Sequence, residues 1–278
     1  MLRSALRRAA TRSCASSVSR QKSALVTGGV QGLGEAIARR LAEDGYKVVI
    51  ADVQDGQMLA DEIEGRFVEA DVSEPRQVQA AIAEVVATFG SLDALVNLGR
   101  NNAGVVGSQQ VRLGDYDVED WKRVIDINLN GVFYGLKYGL AQMAQQETGG
   151  SIVNMSSTAG FRGFINLGPY TASKFAIRGM TRAAAVEYGN NNIRVNALAP
   201  AACETPLLKG FIENSPNPMM TYNFLAGYHA IPALPQVKDV ADACAFLLSD
   251  QARYITGHTL PVDAGTLCRV ANAPERFN

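Results

Sequence analysis

Lys22-Ser-Ala-Leu-Val-Thr-Gly28-Gly-Val-Gln31-Gly32-Leu33-Gly34-Glu35 passes from a short apolar strand, through a glycine-punctuated turn, into a helical pattern. Ala36, Ile37 and Leu41 fall on one face of a helix that begins near Leu33. Gly28, Gly32 and Gly34 stand where a chain turns sharply and where backbone approaches a ligand with no Cβ in the way. A helix opening at such a turn aims its first N–H groups at an anion. The stretch therefore reads as a pyrophosphate cradle in which Gly28, Gln31, Gly32, Leu33 and Gly34 meet a dinucleotide. Glycine spacings of this kind also arise by accident, so the following segment has to agree. It does, because Lys47-Val-Val-Ile-Ala ends in Asp52, twenty residues after Gly32. A carboxylate there accepts hydrogen bonds from both hydroxyls of an adenosine ribose and repels a 2′-phosphate. No Lys or Arg occurs in Gly29-Val30-Gln31 or at Val53 to neutralise such a phosphate. NAD is expected over NADP.

The rest of the chain repeats the strand–helix alternation. Strands are expected at 66–70, 94–97, 151–155, 193–198 and 259–263. Between Pro75 and Gly90, residues Val78, Ile82, Val85, Val86 and Phe89 recur at helical spacing and belong to a core. Alternation of this kind predicts right-handed crossovers and an α/β fold with a parallel sheet. A chain of 278 residues at 47% apolar composition is large enough to bury one such core, and nothing marks a second domain or an internal repeat.

Tyr170 and Lys174 lie four residues apart in Pro169-Tyr-Thr-Ala-Ser-Lys-Phe-Ala, and Ser157 precedes the Tyr by thirteen. On a helix that spacing stacks the two side chains one turn apart. An ammonium beside a phenol stabilises the phenolate, so Lys174 is expected to lower the Tyr170 pKa and make it a proton shuttle.

With these residues in place, the chain resembles the short-chain dehydrogenase/reductase family, of its classical type, from about Lys22 to Gly265. Thr27-Gly28-x-x-x-Gly32-x-Gly34 is similar to the family's nucleotide loop. Asp71-Val72 resembles the pair that meets the adenine, and Asn102-Ala103-Gly104 the motif after the fourth strand. Asn128 (in Ile-Asn-Leu-Asn-Gly), Ser157, Tyr170 and Lys174 match the catalytic tetrad. Residues 193–200, ending in Pro200, together with Thr205, resemble the nicotinamide-side loop, and residues 254–263 the last strand.

The resemblance implies a Rossmann-type doubly wound parallel β-sheet flanked by helices, in a single domain. It implies hydride transfer between a secondary alcohol or ketone and NAD. Tyr170 would be the general acid/base, and Lys174 would activate it and hold the nicotinamide ribose. Ser157, with Ser156 as the other candidate, would hold the substrate oxygen. Asn128 would hold a water that links Lys174 to solvent. Many relatives form tetramers, so a homo-oligomer, tetramer or dimer, is expected.

The sequence departs from the family pattern twice. Residues 98–101 are additional, just before Asn102-Ala103-Gly104, and are expected to form a bulge or displaced loop that brings Arg100 near the adenosine or diphosphate. Pro200-Ala201 replaces the usual Pro-Gly, which strains the turn if Ala201 needs a positive φ.

Residues 1–21 differ in composition, with five Arg, four Ser before residue 18, and no acid before Glu35. Leu2, Leu6 and Ala9-Ala10 share a helical face, which is the make-up of a mitochondrial transit peptide. A matrix location follows as the expectation, or a cytoplasmic one if the leader is only a basic extension. Without the five Arg, 21 basic residues face 27 acidic ones. That balance argues against a nucleic-acid partner, and no apolar run reaches membrane-spanning length. Four Cys (14, 203, 244, 268) and two His (229, 258) show no metal or disulfide spacing, although Cys203 lies in the nicotinamide-side loop and is a candidate for oxidation.

Residues 205–235 form the family's variable substrate lid. Phe211, Met219, Met220, Tyr222, Phe224, Tyr228 and Ile231 there point to an apolar alcohol or ketone, or simply pack the lid, with Phe161, Arg162 and Phe164 as the facing wall. Two other readings stay open. One is an NADPH-dependent 3-oxoacyl carrier-protein reductase, which Asp52 disfavours. The other is a nucleotide-binding sensor or scaffold whose catalysis the insertion impairs.

Overall fold

The computed structural model describes residues 20–99, 105–108 and 111–269, with Leu207 by its backbone only. The strands are β1 (Ser23–Thr27), β2 (Lys47–Asp52), β3 (Arg66–Glu69), β4 (Ala94–Asn97), β5 (Gly150–Met155), β6 (Ile193–Pro200) and β7 (Thr259–Val262). The helices are α1 (Gly32–Glu43), α2 (Gln57–Glu62), α3 (Pro75–Phe89), α4 (Val118–Ile125), α5 (Gly131–Ala144), α6 (Gly168–Tyr188), α7 (Pro206–Glu213), α8 (Pro218–Gly227) and α9 (Val237–Leu248). All strand pairs are parallel, in the order β3-β2-β1-β4-β5-β6-β7. The expected strands are present, with ends moved by one or two residues.

Alternation along each central strand divides its side chains between two layers. Ala24, Val26, Val48, Ile50 and Val96 join the core beneath α1 and α9, while Leu25, Val49, Leu95 and Ile152 join the core beneath α3, α5 and α6. A sheet covered on both faces needs such continuous apolar strands. Full burial of each Val, Leu or Ile contributes roughly 1.5–3 kcal/mol. The α3 helix begins on Pro75 and stops at Gly90, whose φ of 84° ends it in the left-handed region.

The strand order reverses between β1 and β4, and ligands of doubly wound sheets bind at the carboxyl ends beside that switch. Thr27 pins the switch: its hydroxyl donates to the Leu98 carbonyl (2.8 Å) and accepts from the Leu98 N–H (3.0 Å). Leu98, the first of the additional residues, is thus held to the end of β1, while Arg100 and Asn101 lie outside the described residues. The chain is refastened at Val105, whose N–H and carbonyl are both held by the Asn128 amide (2.8 and 2.7 Å).

Candidate active site

β5 and α6 build the floor of the site. β5 ends at Met155, so Ser156 and Ser157 emerge at the crevice, and α6 starts on Gly168-Pro169 and presents Tyr170 and Lys174 one turn apart. Lys174 Nζ donates to the Met155 carbonyl (2.9 Å), and Ser156 Oγ donates back to the Lys174 carbonyl (3.0 Å). These two bonds latch strand to helix. Ser156 is therefore structural, whereas Ser157 is hydrogen-bonded to the Tyr170 phenol and caps the turn that follows by accepting from Ala159 N–H (3.1 Å). Ser157 and Tyr170 share a recess of about 320 Å³ whose walls include Leu33, Met155, Val106, Phe164, Pro200, Thr205 and Leu208.

Burial controls the electrostatics. It pushes the Tyr170 phenol above its ordinary value, while the bond to Ser157 pulls the other way. It pushes the Lys174 ammonium down to about 7. The expectation that Lys174 lowers the Tyr170 pKa is corrected here. The lysine is 1% exposed and its nitrogen lies 5.4 Å from the phenol ring centroid, so loss of hydration disfavours both charged forms and the downward pull on the tyrosine comes from Ser157.

Asn128 sits in a π-helical turn, Asp126–Asn130, between α4 and α5, is fully buried, and uses both ends of its side-chain amide on Val105. An amide engaged in that way fastens the wall that carries Val106. Turns of this type break a helix ladder at a single point and recur at functional positions.

The dinucleotide half assembles around Gly28. Its φ is +62°, its N–H donates to the Ala51 carbonyl (2.8 Å), and a Cβ there would come within 2.6 Å of the Gly99 carbonyl oxygen. Gln31 is the N-cap of α1 and gives no side-chain cap, so the first-turn N–H groups are not taken by it. Asp52, 4% exposed, accepts from Val30 N–H (3.2 Å) and Gln54 N–H (3.1 Å), which fixes its carboxylate at the end of β2. Gly28, Asp52 and Val72 line one slot with Val53 and Ala70. The Asp71 carboxylate turns to Ser73, accepting from its N–H (2.9 Å) and hydroxyl (2.7 Å), so only Val72 of that pair faces the slot. Asn102, Ala103 and Gly104 lie outside the described residues. A buried acid at the ribose end and a glycine turn that opens into a helix fit a nicotinamide dinucleotide.

Leu33, expected on the cofactor, is 3% exposed and helps wall the catalytic recess. Thr205 caps α7, accepting from Leu208 N–H (3.2 Å). Ala201 does not take a positive φ, so its replacement of glycine costs nothing there. Cys203 is buried, its thiol pushed up to about 12 by burial, which removes the thiolate that oxidation requires. Of the described residues in 205–235, Thr205 and Leu208 line the recess, and Phe211, Met219, Met220, Phe224, Tyr228 and Ile231 are 49–76% exposed. Phe161 lies under the Arg178 guanidinium (3.6 Å), leaving Phe164 as the facing wall. Val106 and Leu167 in loops and Leu208 in the first turn of α7 were missed because single apolar residues carry no spacing signal. Among the described residues no cluster of His, Cys, Asp or Glu is able to hold a metal, and no helix is long and apolar enough to cross a membrane.

A family model described as Enoyl-(Acyl carrier protein) reductase matches residues 28–266. A cyclohexanol dehydrogenase of Acinetobacter sp. is 37% identical over 249 residues, covering 87% of this chain and 93% of that protein. A 3-alpha-(or 20-beta)-hydroxysteroid dehydrogenase of Mycobacterium tuberculosis is 36% identical over 256 residues, covering 90% and 91%. The solved structure of ElxO with NADP bound superimposes with a TM-score of 0.82 at 30% identity, over 90% of this chain and all of that one. The chain belongs to the short-chain dehydrogenase/reductase family and is an oxidoreductase of Rossmann-type fold.

Proposed function

We propose that the protein is an NAD-dependent secondary-alcohol dehydrogenase with Tyr170 as general acid/base. The observation that carries the reading is one recess holding a hydrogen-bonded Ser157–Tyr170 pair above a buried lysine with a pKa near 7. NAD, when bound, supplies the hydride acceptor. Ser157 holds the substrate oxygen, and Tyr170 takes the hydroxyl proton as the C–H bond breaks. Lys174, tied to the Met155 carbonyl, exchanges protons near neutrality and passes that proton on. Asn128 is a positioning residue for the Val105-Val106 wall. Gly28, Gln31, Gly32 and Gly34 would hold the pyrophosphate, Asp52 the adenosine ribose, Val72 the adenine, and Pro200 and Thr205 the nicotinamide side.

Alicyclic and steroid-like secondary alcohols are the substrates of choice, because the catalytic recess is small and mostly apolar and the named relatives act on rings of that kind. The NADP in ElxO supports a second cofactor reading, which the buried Asp52 opposes. One experiment separates them. NADH and NADPH fluorescence titrations of wild type and Tyr170→Phe are followed by turnover of cyclohexanol. The variant should bind NADH as the wild type does and lose turnover by about 10²–10⁴-fold. Retained turnover would reject Tyr170 as the base, and tighter binding of NADPH would reject the role of Asp52.

The same reading includes residues 1–21 as a matrix-targeting leader, tested by fusing them to a reporter. It also includes a dimer or tetramer through the half-exposed Phe133 of α5 and Phe175 of α6, tested by light scattering.

A further inference from the structure

A second recess, of about 620 Å³, opens beside the catalytic one, and Phe164 lines both. Its wall combines Phe164, Ile165, Phe224 and Tyr228 with two guanidinium groups, Arg162 and Arg269. No acidic residue lines it. The nearest acid along the chain to its Thr266 is Asp263, whose two oxygens are engaged by Gly265 N–H (3.0 Å) and Leu267 N–H (2.8 Å). Arg269 is partly committed, since it donates to the carbonyls of Gly227 and His229 and ties the end of α8 to the C-terminal segment. Arg162 differs. It lies over the Phe164 ring at 5.0 Å and forms no ion pair among the described residues.

From these observations we infer that the second recess receives an anionic group carried by the substrate, with Arg162 as its counter-charge, so that the preferred substrates are cyclic secondary alcohols bearing a carboxylate. The inference rests on the alcohol dehydrogenase reading above and narrows its substrate class. A molecule whose hydroxyl is at Ser157 and Tyr170 reaches the second recess by passing Phe164. There its apolar body covers apolar side chains that are otherwise exposed, Phe224 at 63% and Ile165 at 89%. A guanidinium presents a planar fork that matches a carboxylate with two parallel hydrogen bonds, and it stacks on an aromatic ring without losing that fork. A neutral ester of the same skeleton fills the recess without engaging the charge.

The test uses the full chain with NAD. Substrates are trans-4-hydroxycyclohexanecarboxylate and a 3-hydroxysteroid with a side-chain carboxylate, each beside its methyl ester, and cyclohexanol as the neutral reference. At least one acid should exceed its ester by about tenfold in kcat/KM. Arg162→Gln should erase that advantage while esters and cyclohexanol stay within about twofold, and Arg162→Lys should keep part of it. Equal kcat/KM for acid and ester in the wild type overturns the proposal, as does an equal loss on both in Arg162→Gln. If no alcohol of either kind is oxidised, the dehydrogenase reading falls, and calorimetric titration with the steroid carboxylate then judges the recess alone. Binding undiminished in Arg162→Gln would overturn the anion site.

Discussion

The floor of the catalytic recess and the lid at its rim contrast in how they are held. Ser156, Tyr170 and Lys174 are at most 8% exposed, and reciprocal hydrogen bonds between the end of β5 and the start of α6 lock Ser156 and Lys174 together. Met219, Met220 and Phe224 on α8 are at least 63% exposed, and α8 buries little besides Ala226. The floor therefore behaves as part of the core, whereas the lid belongs to the weakly held end of the molecule, where contacts with solvent dominate.

Substitutions on the two sides should differ accordingly. Gly34→Ala tests the cradle that shares the buried framework. Its Cβ would sit 2.0 Å from the Gly28 carbonyl oxygen and 2.8 Å from the Gly29 Cα, contacts that only backbone movement relieves. A loss of about 3 kcal/mol in urea unfolding is expected. An unchanged midpoint would show that the turn has slack.

Lys174→Met sharpens the electrostatic side of the contrast. The folded lysine titrates near 7 against an ordinary 10.5, so between those values the unfolded chain holds a proton that the folded chain has released. Stability contributed by this group is lowest below pH 7 and rises with pH across that window, by up to about 1.4 kcal/mol per pH unit. The variant should flatten that rise in unfolding free energies measured from pH 7 to 10. A wild-type curve parallel to the variant's would show that the ammonium is not disfavoured by burial.

Met219→Ser is the smallest expected effect. With 76% of the side chain already exposed, stability should change by no more than about 0.5 kcal/mol. A shift above 2 kcal/mol in the same unfolding assay would mean that the lid is packed in solution and would remove the contrast.

The residues legible in the sequence were those bound by local geometry. Gly28, Gly32, Gly34 and Asp52 lie within one strand–turn–helix–strand unit, and Tyr170 and Lys174 share one helix face, so their relation follows from spacing along the chain. Ser157 was legible through its interval to Tyr170. What escaped depends on contacts across long separations. Asn128 clamps Val105, twenty-three residues earlier, and Thr27 holds Leu98, seventy-one residues away. Nothing in the local sequence distinguishes an amide that binds backbone from one that binds water. Arg162 was legible as part of the wall facing the lid, but its place beside Phe224 and Tyr228 depends on a loop meeting α8.

The alternating strands and helices, the glycine turn and the acid closing β2 were set by the sequence alone, since each needs only neighbours along the chain and the demand to bury apolar faces. The tertiary structure decided the rest. It turned Lys174 into a buried amine that titrates near 7, gave Ser157 rather than Ser156 to the phenol, and set two arginines beside the aromatic rim. Those outcomes follow from dehydration and from contacts between distant segments, neither of which a linear pattern encodes.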